Sequence, residues 1–526
     1  MTRPTVVVAE RIAAAGMEAL AAQCTVADLV GADRPALLAA LADATGLIVR
    51  SATRVDAEVF AAAPRLEVVG RAGIGVDNID IDAATAAGVL VVNAPQANTV
   101  SAAEHTMALL LAQARRIPEA DASMRRGEWA RTRFEGVELH GKRLGILGLG
   151  KIGTLVAQRA SAFGMQVLAY DPYVGAERAR RLGVELADLD RVLAESDFLT
   201  IHLPRTTETV GLLDSRALDR VKPGIRIINV SRGGIVDEDA LAAALASGRV
   251  AGAALDVFAE EPPGPGPLQE MPGVVLTPHL GASTREAQDK AGIDVAEAVV
   301  QALRGELVMS AVNVDLGPGL SEEVKPYLAV AEILGELFTG FAAGLPESLV
   351  VRAEGKLADE PIRPLVLAAL KGALSRVSGG PVSYVNAPML AQGRGIEVSE
   401  ERASVSPDYQ SVLRLSGTVD GKPVMLAAVA MGHKGPVLVE VNGYEIELPL
   451  TRWVLLVRND DVPGVIGRLG TYLGEEQVNI ADMVVGRATS GEAMMGLSLD
   501  QPLTPDQVAA VRALHGIADA RFVELG

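Results

Sequence analysis

Arg232, Glu261 and His279 are residues whose types and settings could together move a hydride and a proton. Arg232 stands in Asn229-Val230-Ser231-Arg232-Gly233-Gly234, and Glu261 in Asp256-Val257-Phe258-Ala259-Glu260-Glu261-Pro262. His279 stands in Thr277-Pro278-His279-Leu280-Gly281-Ala282. Arginine offers a rigid, two-pronged donor to a carboxylate. Histidine carries protons near neutral pH. A carboxylate bonded to the imidazole fixes its tautomer and favours its charged form. Oxidising a hydroxy acid at its hydroxyl carbon needs all three. Each residue alone has a plainer reading: a surface arginine, a structural histidine after proline, a solvated acidic turn at Glu260 and Glu261. Together they gain weight, because each follows an expected strand end, where parallel sheets bind ligands.

A second chemical element lies upstream. Gly148-Leu149-Gly150-Lys151-Ile152-Gly153 follows an apolar strand and opens an amphipathic helix. Gly148 permits the tight turn, Gly150 lets backbone N–H groups approach a pyrophosphate, and Gly153 allows helix to pack on strand. Asp171 closes the next strand, 171 − 153 = 18 residues after the last glycine. A carboxylate there accepts from ribose hydroxyls and repels a 2′-phosphate, so NAD is expected over NADP. His202, at another strand end, is expected to line the same cleft. No histidine, cysteine or carboxylate cluster has metal-ligand spacing.

These groups need a scaffold of parallel strands. Residues 5–97 alternate short apolar strands, such as Leu66–Gly70 and Val89–Asn93, with alanine-rich helical stretches. A helix is expected over Ser101–Arg115, with Ser101 and Glu104 as a capping box. Strands follow at Arg143–Leu147, Val167–Tyr170, Phe198–His202, Ile225–Val230, Gly252–Leu255 and Val274–Leu276. Ser283 and Glu286 form a second expected capping box, opening a helix to about Leu303. Gly317-Pro318-Gly319 marks a boundary. Residues 320–450 begin with a helix at Pro326–Ala343 and turn later to strands, including Val437–Val441 and Tyr444–Leu448 around Asn442-Gly443. The last segment reads βαββαβ: Trp453–Arg458, Gly464–Leu473, Val478–Val485, Glu492–Leu499, Thr504–Leu514 and Arg521–Leu525.

The 526 residues exceed one ordinary core, so three or four domains are expected. The net charge of −18 argues against nucleic-acid binding and otherwise suits solubility. A lone Cys24 excludes an intramolecular disulfide. No signal peptide or membrane span is read, so a soluble cytoplasmic protein is expected. His105, His140, His433 and His515 are expected to be packing or surface residues.

The motifs quoted above, with Arg71-Ala72-Gly73-Ile74-Gly75-Val76-Asp77-Asn78 and Ala103-Glu104-His105-Thr106, resemble the D-isomer-specific 2-hydroxyacid dehydrogenases along residues 1–313. The resemblance narrows to the long branch that oxidises 3-phosphoglycerate, because of the two extra C-terminal regions. It implies an α/β fold: two Rossmann-like parallel-sheet lobes, an α+β intervening domain and a ferredoxin-like βαββαβ ACT domain. The implied boundaries are 1–97 with 284–313 for substrate, 98–283 for NAD, 320–450 intervening and 452–526 ACT. Implied NAD contacts are Gly148, Gly150, Lys151, Ile152, Gly153, Asp171, His202, Leu203, Pro204, Val230, Ser231, Arg232, Asp256, His279, Gly281 and Ala282. Implied substrate contacts are Arg50, Ser51, Arg71, Gly73 and Asn98, with Arg50 and Arg71 candidates for the anionic end. Arg131 and Arg133 are weighed as reaching a neighbouring subunit or as plain surface charges.

The resemblance also implies a homotetramer, and L-serine bound between Asp461 of one chain and Asn479 of another. The plainer reading of that final unit is a dimerising module with no ligand. A basic site for substrate or phosphate in 320–450 is a further expectation. Alternatives are a glyoxylate or hydroxypyruvate reductase, an NAD-sensing corepressor, and an amino-acid-binding regulator with a silent catalytic lobe.

Overall fold

The computed structural model describes residues 3–317, 320–379, 382–432, 435–487 and 491–526. Pro318 and Gly319 of the expected boundary, and His433, lie outside the described residues. Four sheets follow one another along the chain.

The first sheet holds β1 (Thr5–Val8), β2 (Thr25–Asp28), β3 (Gly46–Val49), β4 (Val68–Arg71) and β5 (Leu90–Asn93), all parallel, in the order β2-β1-β3-β4-β5. The helix Arg285–Leu303 returns to cover it, with Val295 and Val299 packed in the same core as Ile48 and Val68. Asn313 then hydrogen-bonds the backbone of Val89 and Val91, tying the returning chain to β5.

The second sheet holds β6 (Arg143–Leu147), β7 (Gln166–Tyr170), β8 (Glu185–Leu186), β9 (Phe198–Ile201), β10 (Ile225–Asn229), β11 (Val250–Leu255) and β12 (Val274–Leu276). It is parallel throughout, in the order β12-β11-β10-β9-β6-β7-β8. The winding reverses between β6 and β9, and there the strand ends splay to leave a crevice. Strands this fully buried are built from branched and small apolar residues, as Ile227, Ile228, Ala253 and Ala254 illustrate.

Both expected capping boxes are corrected. The first helix begins at Thr99 with Asn98 before it, and Ser101 instead bonds Thr284 through the two hydroxyls at 2.7 Å. The later helix is capped by Thr284, whose side chain accepts from Ala287 N, rather than by Ser283. In each case the chain enters the helix from a crossing between sheets, and that path sets the first helical residue.

The third sheet is mixed: β13 (Ser348–Gly355), β14 (Glu397–Ala403), β15 (Ser411–Val419), β16 (Lys422–Met431), β17 (Gly435–Val441) and β18 (Tyr444–Pro449), in the order β14-β13-β15-β16-β17-β18. After the expected opening helix, here Lys325–Ala342, β13 comes before the helix Arg363–Ser375 and the remaining strands. It pairs in parallel with β14 and antiparallel with β15. Asn442 and Gly443 both have positive φ, as a two-residue hairpin turn requires.

The last unit has the expected βαββαβ order, with β19 (Trp453–Asp460), β20 (Ile480–Arg487), β21 (Glu492–Leu499) and β22 (Ile517–Glu524) arranged β20-β21-β19-β22. Leu455 and Val457 face its own helices, Val465–Glu475 and Pro505–Ala513. Val454 and Leu456 face the other way, into one core with Leu334 and Phe338 of the helix Lys325–Ala342. The two C-terminal regions therefore share a continuous apolar core.

Candidate active site

The glycine loop lies at the reversal between β6 and β9. A Cβ on Gly148 would sit 2.5 Å from the carbonyl oxygen of His202, and its φ is +95°. A Cβ on Gly153 would sit 2.1 Å from the Gly148 carbonyl oxygen. Gly150 differs: no protein atom lies within 4 Å of a Cβ there. Packing demands the first and third glycines, whereas the middle one leaves room for something outside the protein. The first N–H to find an intrahelical carbonyl is that of Thr154, to Gly150, so the N–H groups of Lys151, Ile152 and Gly153 are open to an anion. Asp171 steadies the loop by accepting from Leu149 N and Tyr173 N at 2.8 and 2.9 Å. These features fit a dinucleotide.

Other expected cofactor residues ring the same crevice. His202 follows β9 beside Leu203 and the exposed Pro204, and hydrogen-bonds Thr200 Oγ1 at 3.0 Å. Burial pushes His202 down to about 3, so it is neutral at physiological pH. Val230 and Ser231 follow β10; Ser231 donates to Asn229 Oδ1 through N–H and hydroxyl. Gly281 is buried against Val230, with Ala282 next in the chain. Asp256 is fully buried, and both its carboxylate oxygens accept hydrogen bonds from the segment 277–281.

Between the two sheets lies a cleft of about 650 Å³. Its lining includes Glu261 and His279 from the second sheet, and Arg50, Ser51, Arg71, Gly73 and Asn98 from the first lobe's side. His279 Nδ1 lies 2.7 Å from Glu261 Oε2, and Glu261 Oε1 accepts from Phe258 N at 3.1 Å. The carboxylate is thus anchored on one oxygen and holds the imidazole with the other. Arg232 follows β10 and pairs with Asp77 at 3.3 Å. Gly75 makes room for it, since a Cβ there would lie 2.4 Å from the guanidinium.

The cleft favours anions. Among the described residues, none of Arg11, Arg50 and Arg71 has an ion-pair partner. Burial, and then the nearby Arg232, push the Arg71 guanidinium below its usual value. Arg71 Nε and Asn98 Oδ1 are buried without a hydrogen-bond partner among the described residues. Buried polar atoms rarely stay unpaired, so a polar ligand belongs beside them.

Sequence reasoning missed Asp77, Asn78, Arg11 and Glu10. Asp77 and Asn78 were visible in the glycine-rich stretch after β4, without an assigned task. Glu10 accepts from Arg50, Ala52 and Thr53 N–H groups and shapes the loop that carries Arg50 and Ser51. His105, expected as packing or surface, bonds Asp256 at 3.1 Å. His140 and His515 are exposed. Arg131 is exposed, and Arg133 stacks over Phe134 near Glu128.

A second cleft, of about 430 Å³, lies between the third sheet and β20. That cleft is not the basic site expected of the region. Glu354, Asp408, Glu440, Glu445 and Glu447 line the cleft, and its single arginine, Arg414, is held by Glu354 and Glu440. Asp461 and Asn479 lie apart. Asp461 follows the end of β19 that pairs with Glu492, whereas Asn479 precedes β20 at the Leu499 end of the sheet. Seven residues of strand, roughly 23 Å, separate those ends. Asp461 pairs with Arg487, and Asn479 with Asp500.

Comparison with known proteins decides the family. Residues 107–281 match the NAD-binding domain of the D-isomer specific 2-hydroxyacid dehydrogenases. Residues 323–442 match the D-3-phosphoglycerate dehydrogenase intervening domain, and residues 453–516 the ACT domain. A D-3-phosphoglycerate dehydrogenase from Mycobacterium bovis is 49% identical over 528 residues, covering 100% of both chains. One from Synechocystis is 42% identical over 529 residues, covering 100% of this chain and 95% of its own. The chain belongs to the D-3-phosphoglycerate dehydrogenase family. It is accordingly an NAD-dependent 2-hydroxyacid dehydrogenase with an intervening and an ACT domain. A glyoxylate reductase from Paecilomyes thermophila, 30% identical with a TM-score of 0.55, covers 99% of itself but 59% of this chain. The C-terminal regions are thus what separates this chain from that shorter relative. Among the described residues, no helix is long and apolar enough to cross a membrane, and no group of acids, histidines or cysteines could hold a metal ion.

Proposed function

We propose that the chain oxidises 3-phosphoglycerate to 3-phosphohydroxypyruvate with NAD, as the first step of L-serine biosynthesis in the cytoplasm. The observation that carries this reading is the gathering of unpaired arginines beside the His279–Glu261 pair. A substrate with a carboxylate at one end and a phosphate at the other needs cations at both ends of the cleft. Arg232 holds the carboxylate and polarises the developing carbonyl. Arg50 and Arg71 take the phosphate, with Ser51, Gly73 and Asn98 around the substrate.

His279, neutral and donating its Nδ1–H to Glu261, accepts the C2 hydroxyl proton at Nε2. As that proton leaves, the C2–H bond breaks with its electron pair and the C2–O bond becomes double. Glu261 stabilises the imidazolium that results. Bound NAD supplies the acceptor for the hydride. In the reverse direction His279 returns the proton. The preference for NAD over NADP rests on Asp171, whose carboxylate repels a 2′-phosphate.

The substrate lobe in this reading is 1–97 with 284–313, the NAD lobe 98–283, the intervening domain 320–450 and the ACT domain 452–526. L-Serine binds between Asp461 of one chain and Asn479 of another in a homotetramer. Support comes from the separation of these two residues within one chain, which leaves two chains as the way to join them.

The test is NADH formation at alkaline pH with 3-phosphoglycerate, D-lactate and glycerate, with and without L-serine. Turnover restricted to the phosphorylated acid and suppressed by serine is expected. No preference for the phosphorylated acid overturns the substrate. Turnover without suppression overturns the serine site alone.

A further inference from the structure

His279 is a non-glycine residue with φ +56°, in the left-handed region. Such a backbone persists only where its surroundings over-determine it. Those surroundings converge on one buried carboxylate. His279 N–H donates to the Asp256 carbonyl at 2.8 Å. Thr277 Oγ1 and Leu280 N donate to Asp256 Oδ1 at 2.6 and 2.7 Å, and Gly281 N to Oδ2 at 2.8 Å. The residues flanking His279 on both sides are therefore tied to Asp256.

The remaining donor comes from elsewhere in the chain. His105 Nε2 lies 3.1 Å from Asp256 Oδ1 and 3.2 Å from Thr277 Oγ1. The Thr277 proton is committed to Asp256, so its oxygen is free to accept, and one Nε2–H serves both atoms. His105 sits on the helix Thr99–Ala114, where the chain first reaches the second sheet. Two residues into that helix, Ser101 bonds Thr284, where the chain crosses back. A buried carboxylate keeps its charge only while donors satisfy it. Removing one leaves a lone pair empty and loosens whatever the others hold.

We propose that His105 is a positioning residue for His279: its donation to Asp256 and Thr277 fixes the turn that presents the catalytic imidazole. This rests on the reading of His279 as the proton carrier. His105 itself touches neither substrate nor reacting atoms. A shift of about 1 Å in a catalytic group costs on the order of a hundredfold in rate.

The experiment compares His105→Leu, His105→Gln and His279→Ala in the full-length enzyme. The readouts are kcat, the NADH dissociation constant by fluorescence, the melting temperature, and the primary isotope effect with C2-deuterated 3-phosphoglycerate. For His105→Leu, kcat is expected to fall about tenfold or more, with a larger isotope effect and NADH affinity within about twofold. His105→Gln, whose amide can donate from a similar place, is expected to recover most of the rate. Wild-type turnover in His105→Leu, no recovery in His105→Gln, or an equal loss of NADH affinity overturns the proposal. Should His105→Leu fail to fold, Thr277→Val takes its place, and unimpaired turnover there overturns it equally. Full activity in His279→Ala instead overturns the reading beneath it, whatever the His105 variants do.

Discussion

The cleft between the first two sheets and the cleft beside β20 both gather charge, but they leave opposite signs unbalanced. In the first, Asp77 pairs with Arg232 and Glu261 with His279, while Arg11, Arg50 and Arg71 remain unpaired among the described residues. In the second, Arg414 is held by Glu354 and Glu440, while Asp408 and Glu445 have no cation among the described residues. There burial, and then Glu447, push Tyr409 up to about 12. One cleft is prepared for an anion, and the other repels one. The lesson is that charge in the catalytic half is held in reserve for a ligand, whereas the arginine of the C-terminal half is spent on holding strands together.

The contrast can be broken at several points. The largest expected effect is His279→Ala, which should lower kcat by about 10²–10⁴-fold with little change in NADH affinity. Steady-state rates with a fluorescence titration check it, and unchanged turnover would falsify the role. Next, Arg50→Met or Arg71→Met should raise the KM for 3-phosphoglycerate by about 10–100-fold, the worth of a charge-assisted hydrogen bond. Equal KM values with and without those guanidinium groups would remove the anion site from the first cleft.

Arg414→Met should do the reverse. It leaves Glu440 without its cation and Glu354 with Arg352 alone, so stability should fall by about 2 kcal/mol while kcat and KM stay within about twofold. Denaturant unfolding followed by Trp453 fluorescence, beside a standard assay, reads both. A loss of activity without a loss of stability would abolish the distinction drawn here.

The smallest effect is acid lability from His202. Its folded value, about 3, lies below the unfolded value near 6.5, so its contribution is complete above pH 6.5. That contribution is lost as pH falls from there toward 3. At pH 5 the loss reaches at most about 2 kcal/mol, an upper bound because the residue keeps part of its surface in solvent. His202→Gln should unfold less readily than the wild type between pH 7 and pH 5, relative to their stabilities at pH 7. Parallel pH curves would show that His202 is not the buried neutral group.

Much of the catalytic half was legible in advance. The strands at Arg143–Leu147 and Val274–Leu276 have the bounds expected of them. The chemistry-bearing residues follow strand ends, and a parallel sheet gathers its strand ends on one edge. The C-terminal half was less legible. β13 is set off by Gly344 and Pro346 before it and ends at Gly355, but its short apolar run Leu349-Val350-Val351 takes its character from partner strands on both sides, which lie far along the chain. The sign of the second cleft was hidden too, because Glu354, Asp408 and the hairpin carrying Glu440 and Glu445 come from separate segments that meet only when the third sheet forms.

Local pattern determined the elements, the glycine turn and the identity of Arg232, Glu261 and His279, because those follow from periodicity and side-chain chemistry within a few residues. Tertiary structure alone decided which charges stay free and which are neutralised. It also made His105, expected as a packing or surface residue, the partner of Asp256, across 256 − 105 = 151 positions of chain. Pairing over such distances depends on where whole strands and helices come to rest, and no local spacing encodes that.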